Sequence, residues 1–115
     1  MKVGLRIGSM MVLAGALMSV LAFASVPPTP DDAGDLFKSK CSMCHAPDGK
    51  GFSAIKTPNF TDPKWQESRK DAEIKDTIKN GKKDTMMKAF GDKLSDAEID
   101  SLVKFIRSLN SEKKK

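Results

Sequence analysis

The chain has no tyrosine, one histidine, one tryptophan and two cysteines among its 115 residues. A single histidine excludes any site built on paired imidazoles. Two cysteines exclude the multi-bridge disulfide framework that staples many small exported domains. No segment alternates apolar and polar residues as a half-buried strand does, so a sheet is excluded as the organising element. Charge is missing locally too: no acidic residue precedes Asp31, and none of either sign lies between Arg6 and Asp31.

That uncharged stretch has a reading of its own. Residues 7–26 are apolar or small throughout, with Lys2 and Arg6 before them and Pro27-Pro28-Thr29-Pro30 at their end. Ala22-Phe23-Ala24 places small residues at the −3 and −1 positions of a cut after Ala24, the pattern of a secretory signal peptide over 1–24. The stretch also just spans a bilayer core of roughly 30 Å, so a retained membrane anchor is the alternative. Cleavage leaves 91 residues, opening on a stiff Pro-rich leader, 25–30. The protein is expected to be exported, to a periplasm or its equivalent, and membrane-attached only if the segment is retained.

The remaining 91 residues carry 18 basic and 15 acidic side chains, and Lys113, Lys114 and Lys115 supply the whole excess. The basic balance is therefore a short tail, 111–115, and no basic face interleaved with aromatics supports nucleic-acid binding. Apolar residues are scarce as well. From Ser25 onward they number 28 of 91, well below the roughly 45–50% of ordinary globular domains. A domain this small is marginal without a staple. Regular apolar spacing argues against disorder, so a bulky apolar cofactor is expected to complete the core.

The spacing predicts helices. Asp31 or Asp32 can cap one that carries Leu36, Phe37 and Lys40-Cys41 toward Cys44. Residues 46–61, rich in Gly, Pro, Asp and Ser, read as loop. Asp62-Pro63 fits an N-cap followed by proline at the first helical position. Ile74 and Ile78 mark a helix over 71–80 that Gly81 stops. Ser95-Asp96-Ala97-Glu98 is a capping box opening a helix with Ile99, Leu102, Val103, Ile106 and Leu109 on one face. The expected domain, 31–110, is all-α.

Cys41-Ser42-Met43-Cys44-His45 gathers both cysteines and the histidine, and C-x-x-C-H is the attachment signature of c-type haem. On a helix end, sulfurs three residues apart face one side and suit thioether bonds to the two vinyl groups of one porphyrin edge. His45 comes round on that side to offer its imidazole to the iron. A Cys41–Cys44 disulfide would close too small a loop to stabilise much. A thioredoxin-like pair expects a βαβ unit, and a zinc site normally takes four protein ligands where three candidates stand. One covalently bound haem c is expected. For the second axial position, four of seven methionines lie in the export segment and Met43 lies inside the attachment loop. Met86 and Met87 remain, in a loop after Gly81, where a thioether raises the potential relative to a second histidine.

These residues resemble the class I cytochromes c over essentially the whole exported chain. Phe37 with small Ala33 and Gly34 is similar to that family's N-terminal helix contact, and residues 99–109 with Phe105 to its C-terminal helix. Pro58-Asn59-Phe60 is similar to the family's Pro-x-Leu loop, with phenylalanine for leucine. Met87-Lys88-Ala89-Phe90 is similar to Met-Pro-x-Phe, with Lys88 in the proline's place. The resemblance implies the cytochrome c fold: three to five helices wrapped around the haem, the first and last crossing. It implies His45 and Met87 as axial ligands, Met86 being the alternative. It also implies that the Pro58 carbonyl accepts from the histidine's other nitrogen, fixing tautomer and ring orientation.

The function so implied is transfer of single electrons between redox partner proteins by a monomer. No carboxylate pair with catalytic spacing supports substrate chemistry. Losing the proline at Lys88 removes a backbone lock, and a looser loop keeps open a haem enzyme or sensor with a free sixth site. A retained anchor would make the chain a membrane-tethered subunit of a larger redox complex. Trp65 suits a haem propionate or plain core filling. Lys82, Lys83, Lys88 and Lys93 cluster around the ligand loop, either as a docking rim for an acidic partner surface or as ordinary solvated charge.

Overall fold

The structure is a computed structural model that describes residues 28–114 without a break, together with Val3, Gly4, Gly8, Ala22, Ala24 and Val26. The signal-peptide and anchor readings therefore fall almost wholly outside the described residues. Among the described residues no helix is long and apolar enough to cross a membrane, and there is no strand.

Helix α1, Pro30–Lys40, starts earlier than expected. Its cap is Thr29, whose hydroxyl accepts from the Asp32 N–H while the Asp32 carboxylate accepts from the Thr29 N–H at 2.7 Å. Asp32 is thus the third helical residue of a reciprocal capping box, not the cap. Proline stands at the first position, where its missing N–H is no loss. The leader and the helix therefore overlap.

Cys41 joins α1 to a single further turn, α2, Ser42–His45. Its N–H donates to the Phe37 carbonyl at 2.8 Å, and its carbonyl accepts from the N–H groups of Cys44 and His45 at 3.2 and 2.9 Å. The C-x-x-C-H motif is helical, as expected from its spacing. A long loop with one 3-10 turn, Ser53–Ile55, leads to α3, Pro63–Ser68, capped by the Asp62 carboxylate on the Lys64 N–H. Helix α4, Asp71–Asn80, ends at Gly81 with φ +74°. Helix α5, Asp96–Ser108, opens on the Ser95–Glu98 capping box. The basic tail begins with Ser111 donating to the Thr61 carbonyl at 3.1 Å, so it is tied to the body before it ends.

Helix α5 is the centre of the packing, against α1 on one side and α4 on another. Phe37 of α1 meets Phe105 of α5 with 5.1 Å between ring centroids, and Gly34 offers Phe105 a side-chain-free surface. Phe37, Ile99 and Leu102 are fully buried, within a cluster of Phe60, Ile74, Ile78, Leu94, Val103, Ile106 and Leu109. The apolar face expected of residues 99–109 is the buried face. Truncating Leu102 to alanine should destabilise by about 2–5 kcal/mol. Exposed ion pairs Lys75–Asp100 (2.7 Å) and Lys79–Asp96 (3.0 Å) bridge α4 and α5 and contribute little beside that core.

Candidate haem site

Cys41 and Cys44 are both free and partly buried. Burial, and next the neighbouring Cys44, push the Cys41 thiol up to about 11. A redox-active or metal-poised cysteine has a lowered value, so the thioredoxin-like alternative finds no support in this environment.

Burial also holds the His45 imidazole below its ordinary range, favouring the neutral ring that binds metals. Its Nδ1 is buried with no hydrogen-bond partner. An unpaired buried polar atom of this kind costs about 1–3 kcal/mol. The bond expected from Nδ1 to the Pro58 carbonyl is thus not formed. That carbonyl packs on Gly51, where an added Cβ would stand 2.6 Å from it. Gly51 in turn donates its N–H to the His45 carbonyl at 2.9 Å. Pro58 is brought beside His45, with one glycine between them. The ring itself rests on Phe60, stacked at 4.8 Å with 20° between planes.

The three downstream methionines separate by burial. Met43 and Met86 are 89% and 78% exposed, whereas Met87 is half-buried and packs against the apolar cluster. The loop around it is tied on both sides. The Met87 carbonyl accepts from Lys82 N–H at 3.1 Å, and the Met87 N–H donates to Thr85 Oγ1 at 3.2 Å. Beyond it, Phe90 and Gly91 donate to the Ile78 and Lys79 carbonyls, both at 3.0 Å. The lock lost with the proline at Lys88 is therefore supplied by backbone bonds to the end of α4. Gly81 makes the close approach possible, since a Cβ there would stand 2.8 Å from the Met87 carbonyl.

Trp65 packs on Phe60 with 4.7 Å between centroids and borders the same cluster as Cys41, Met87 and Phe90, a core-filling contact. Lys82, Lys83, Lys88 and Lys93 are all exposed. The sequence did not single out Gln66, which donates to the Phe60 carbonyl, or Arg107. Gln66 is buried and Arg107 reaches it from α5. A glutamine on a short helix and an arginine near a helix end read as surface residues, and no local signal marks them otherwise.

Two free thiols and a half-buried imidazole with an orphaned, buried nitrogen share one helical turn, and a thioether packs on the apolar cluster they border. This donor set fits a c-type haem. Fold and donors together define a c-type cytochrome domain. Residues 28–106 match the family described as cytochrome c oxidase, cbb3-type, subunit III, and the chain belongs to that family. It is 32% identical over 82 residues to the cbb3-type cytochrome c oxidase subunit FixP of Azorhizobium caulinodans, covering 71% of this chain and 28% of that protein. It is 32% identical over 120 residues to the subunit CcoP of Rubrivivax gelatinosus, covering 93% and 39%. The chain thus spans well under half the length of these relatives. Among solved structures it is similar to the c-type cytochrome KustC0563, with TM-score 0.63 and 28% identity over 68% of this chain and 96% of that one. It shares the fold of cytochrome CL from Methylophaga aminisulfidivorans, with TM-score 0.59 and 24% identity over 70% and 53%. The chain is a haem-dependent electron-transfer domain of cytochrome c type.

Proposed function

We propose that the chain carries one haem c, attached through Cys41 and Cys44, with His45 and Met87 on the iron and Met86 as the alternative sixth ligand. The observation that carries this reading is the half-buried His45 ring, its Nδ1 buried and unpaired and its neutral form favoured, one turn from two free thiols. Bound there, the haem supplies one-electron exchange between ferric and ferrous iron. The protein's own work is to hold both axial groups still and keep water off them. Phe60 braces the imidazole, backbone bonds to α4 hold the Met87 loop, and the cluster around Phe37 and Leu102 excludes solvent. Pro58 belongs to the site through the carbonyl it holds against Gly51.

On this reading the chain is a carrier and not an enzyme, and Met87's inward packing supports a filled sixth position. It works as an exported monomer that meets acidic surfaces of its redox partners through the exposed lysines beside the Met87 loop. The names of the two relatives favour a second arrangement, in which residues 7–26 are retained and the chain serves as a tethered subunit of an oxidase.

Visible spectra of the protein from a host that attaches haem c test the first point. Sharp reduced α and β bands, a weak far-red ferric band and no rapid shift with carbon monoxide are expected. High-spin bands with rapid carbon monoxide binding would overturn the carrier reading. Intact mass distinguishes the two arrangements: the secreted form lacks residues 1–24 and gains one haem, whereas the tethered form keeps them.

A further inference from the structure

Gln66 is the one buried polar side chain among the described residues, 4% exposed. Its amide is almost fully used. Nε2 donates to the carbonyl of Phe60 at 2.6 Å and to that of Ile106 at 2.8 Å. Oε1 accepts from Arg107 Nη1 at 3.0 Å, and the same nitrogen donates to the Gln66 carbonyl. Arg107 then reaches outward, with Nη2 on the Arg69 carbonyl and Nε on the Asp71 carboxylate. One guanidinium therefore clasps α3, the start of α4 and α5 around a single buried amide. A planar fork of five donors suits this, and a lysine could not copy it.

Helix packing alone does not call for a glutamine here. Burying an amide is unfavourable unless its bonds are made, and an apolar residue would fill the same space. What Gln66 supplies is a fixed position for the Phe60 carbonyl. Phe60 is held at its other end as well, where its N–H donates to the Gly49 carbonyl at 2.8 Å. The phenyl ring between these two anchors touches Phe37, Trp65 and His45, the last in a near-parallel stack.

The imidazole has few other restraints. Rotation about the terminal torsion of histidine is soft, and Nδ1 has no hydrogen bond to set the ring plane. The flat surface of Phe60 therefore sets it, and the Gln66 amide sets Phe60.

We propose that Gln66, clasped by Arg107, is a positioning residue for the His45 imidazole, acting through the backbone and ring of Phe60. This rests on the reading of His45 as an iron ligand. The pair lies outside the attachment motif and the Met87 loop, so it tunes the site from a distance through a hydrogen-bonded chain, as outer-shell partners of metal ligands do.

The test uses the haem-loaded protein. In the ferric state the spread and order of the haem-methyl proton resonances report the plane of the axial imidazole. Gln66→Met keeps length and bulk but removes both donors. It should alter that pattern, and Phe60→Leu should alter it in the same sense. Ile99→Val, in the same apolar cluster but without a bond to Phe60 or to the Met87 loop, should lower Tm and leave the pattern unchanged. A Gln66→Met protein that loses Tm yet keeps the wild-type pattern would show a merely structural glutamine and overturn the proposal. If Gln66→Met does not fold, Arg107→Lys decides: it frees the amide without deleting its donors. A smaller change in the same sense is expected, and an unchanged pattern overturns the proposal. Failure of the underlying reading would be visible separately, because the wild-type protein would then lack the low-spin ferric signature of an axial imidazole.

Discussion

The His45 imidazole lies nearly parallel to the Phe60 ring, 4.8 Å between centroids and 20° between planes. Such a stack contributes about 0.5–1.5 kcal/mol beyond the area it buries. That does not offset an unpaired buried Nδ1, at about 1–3 kcal/mol. The ring is thus braced but incompletely satisfied, and partial burial favours its neutral form. A leucine in place of Phe60 would fill space without offering a flat face, so the departure from the usual Pro-x-Leu pattern has a structural use.

Replacing the two candidate sixth ligands separates them. Met87→Ala should abolish the weak far-red ferric band, because Met87 packs inward, whereas Met86→Ala, at an exposed position, should leave it. The opposite pair of spectra would assign the iron to Met86.

The positive-φ glycines hold the loops that approach the site. At Gly51 (φ +72°) a Cβ would stand 2.6 Å from the Pro58 carbonyl oxygen and 2.7 Å from that of Thr57. These are backbone atoms with little room to move. Strain and overpacking together should lower the stability of Gly51→Ala by about 2–4 kcal/mol, read as a fall in Tm. Gly81→Ala should lower Tm and also weaken the far-red band, since its Cβ would press on the Met87 carbonyl. A band of full strength after Tm has fallen would show that Gly81 does not hold the ligand loop.

Acid should erase one local contribution. Hydrogen bonds from the Thr29 hydroxyl and backbone hold the Asp32 carboxyl below its ordinary value of 3.8. A depressed carboxylate contributes stability above that value, and the contribution is lost as pH falls through the lower folded value. Thr29→Ala should therefore have a lower Tm than wild type at neutral pH, with the gap narrowing below about pH 4 as Asp32 protonates in both, to the part owed to the Asp32 N–H on the Thr29 hydroxyl. A gap of unchanged size across that range would place the effect elsewhere than the Asp32 carboxylate.

Docking to an acidic partner should depend on salt. Lys82, Lys83, Lys88 and Lys93 are exposed around the Met87 loop, and attraction between exposed charges is screened within about 8 Å at physiological ionic strength. Electron-transfer rates should fall steeply as salt is added, and Lys83→Glu with Lys88→Glu should lower the low-salt rate most. A flat response would remove these lysines from the docking surface.

Much of the fold could be read directly from local pattern. The buried face of α5, the Asp62-Pro63 start of α3 and the Gly81 end of α4 all stand where spacing and capping chemistry put them. The start of α1 does not, because Thr29, Asp31 and Asp32 are all competent caps. Thr29 prevails since proline then falls at the first helical position and Asp32 at the third, completing the reciprocal box. Met86 and Met87 are likewise adjacent and chemically identical, and only the bonds from the loop to α4 turn one of them toward the core.

By itself the sequence determined the helices, the caps of α3 and α5 and the grouping of Cys41, Cys44 and His45 on one turn, because each depends on residues within four positions of one another. Tertiary structure decided that Phe60 faces His45, that Gln66 is buried with Arg107 upon it, and that the Pro58 carbonyl meets Gly51 instead of the histidine. Those contacts join separate stretches of chain. They depend on how loops close over a small core, and the spacing of residues along the chain carries no record of that closure.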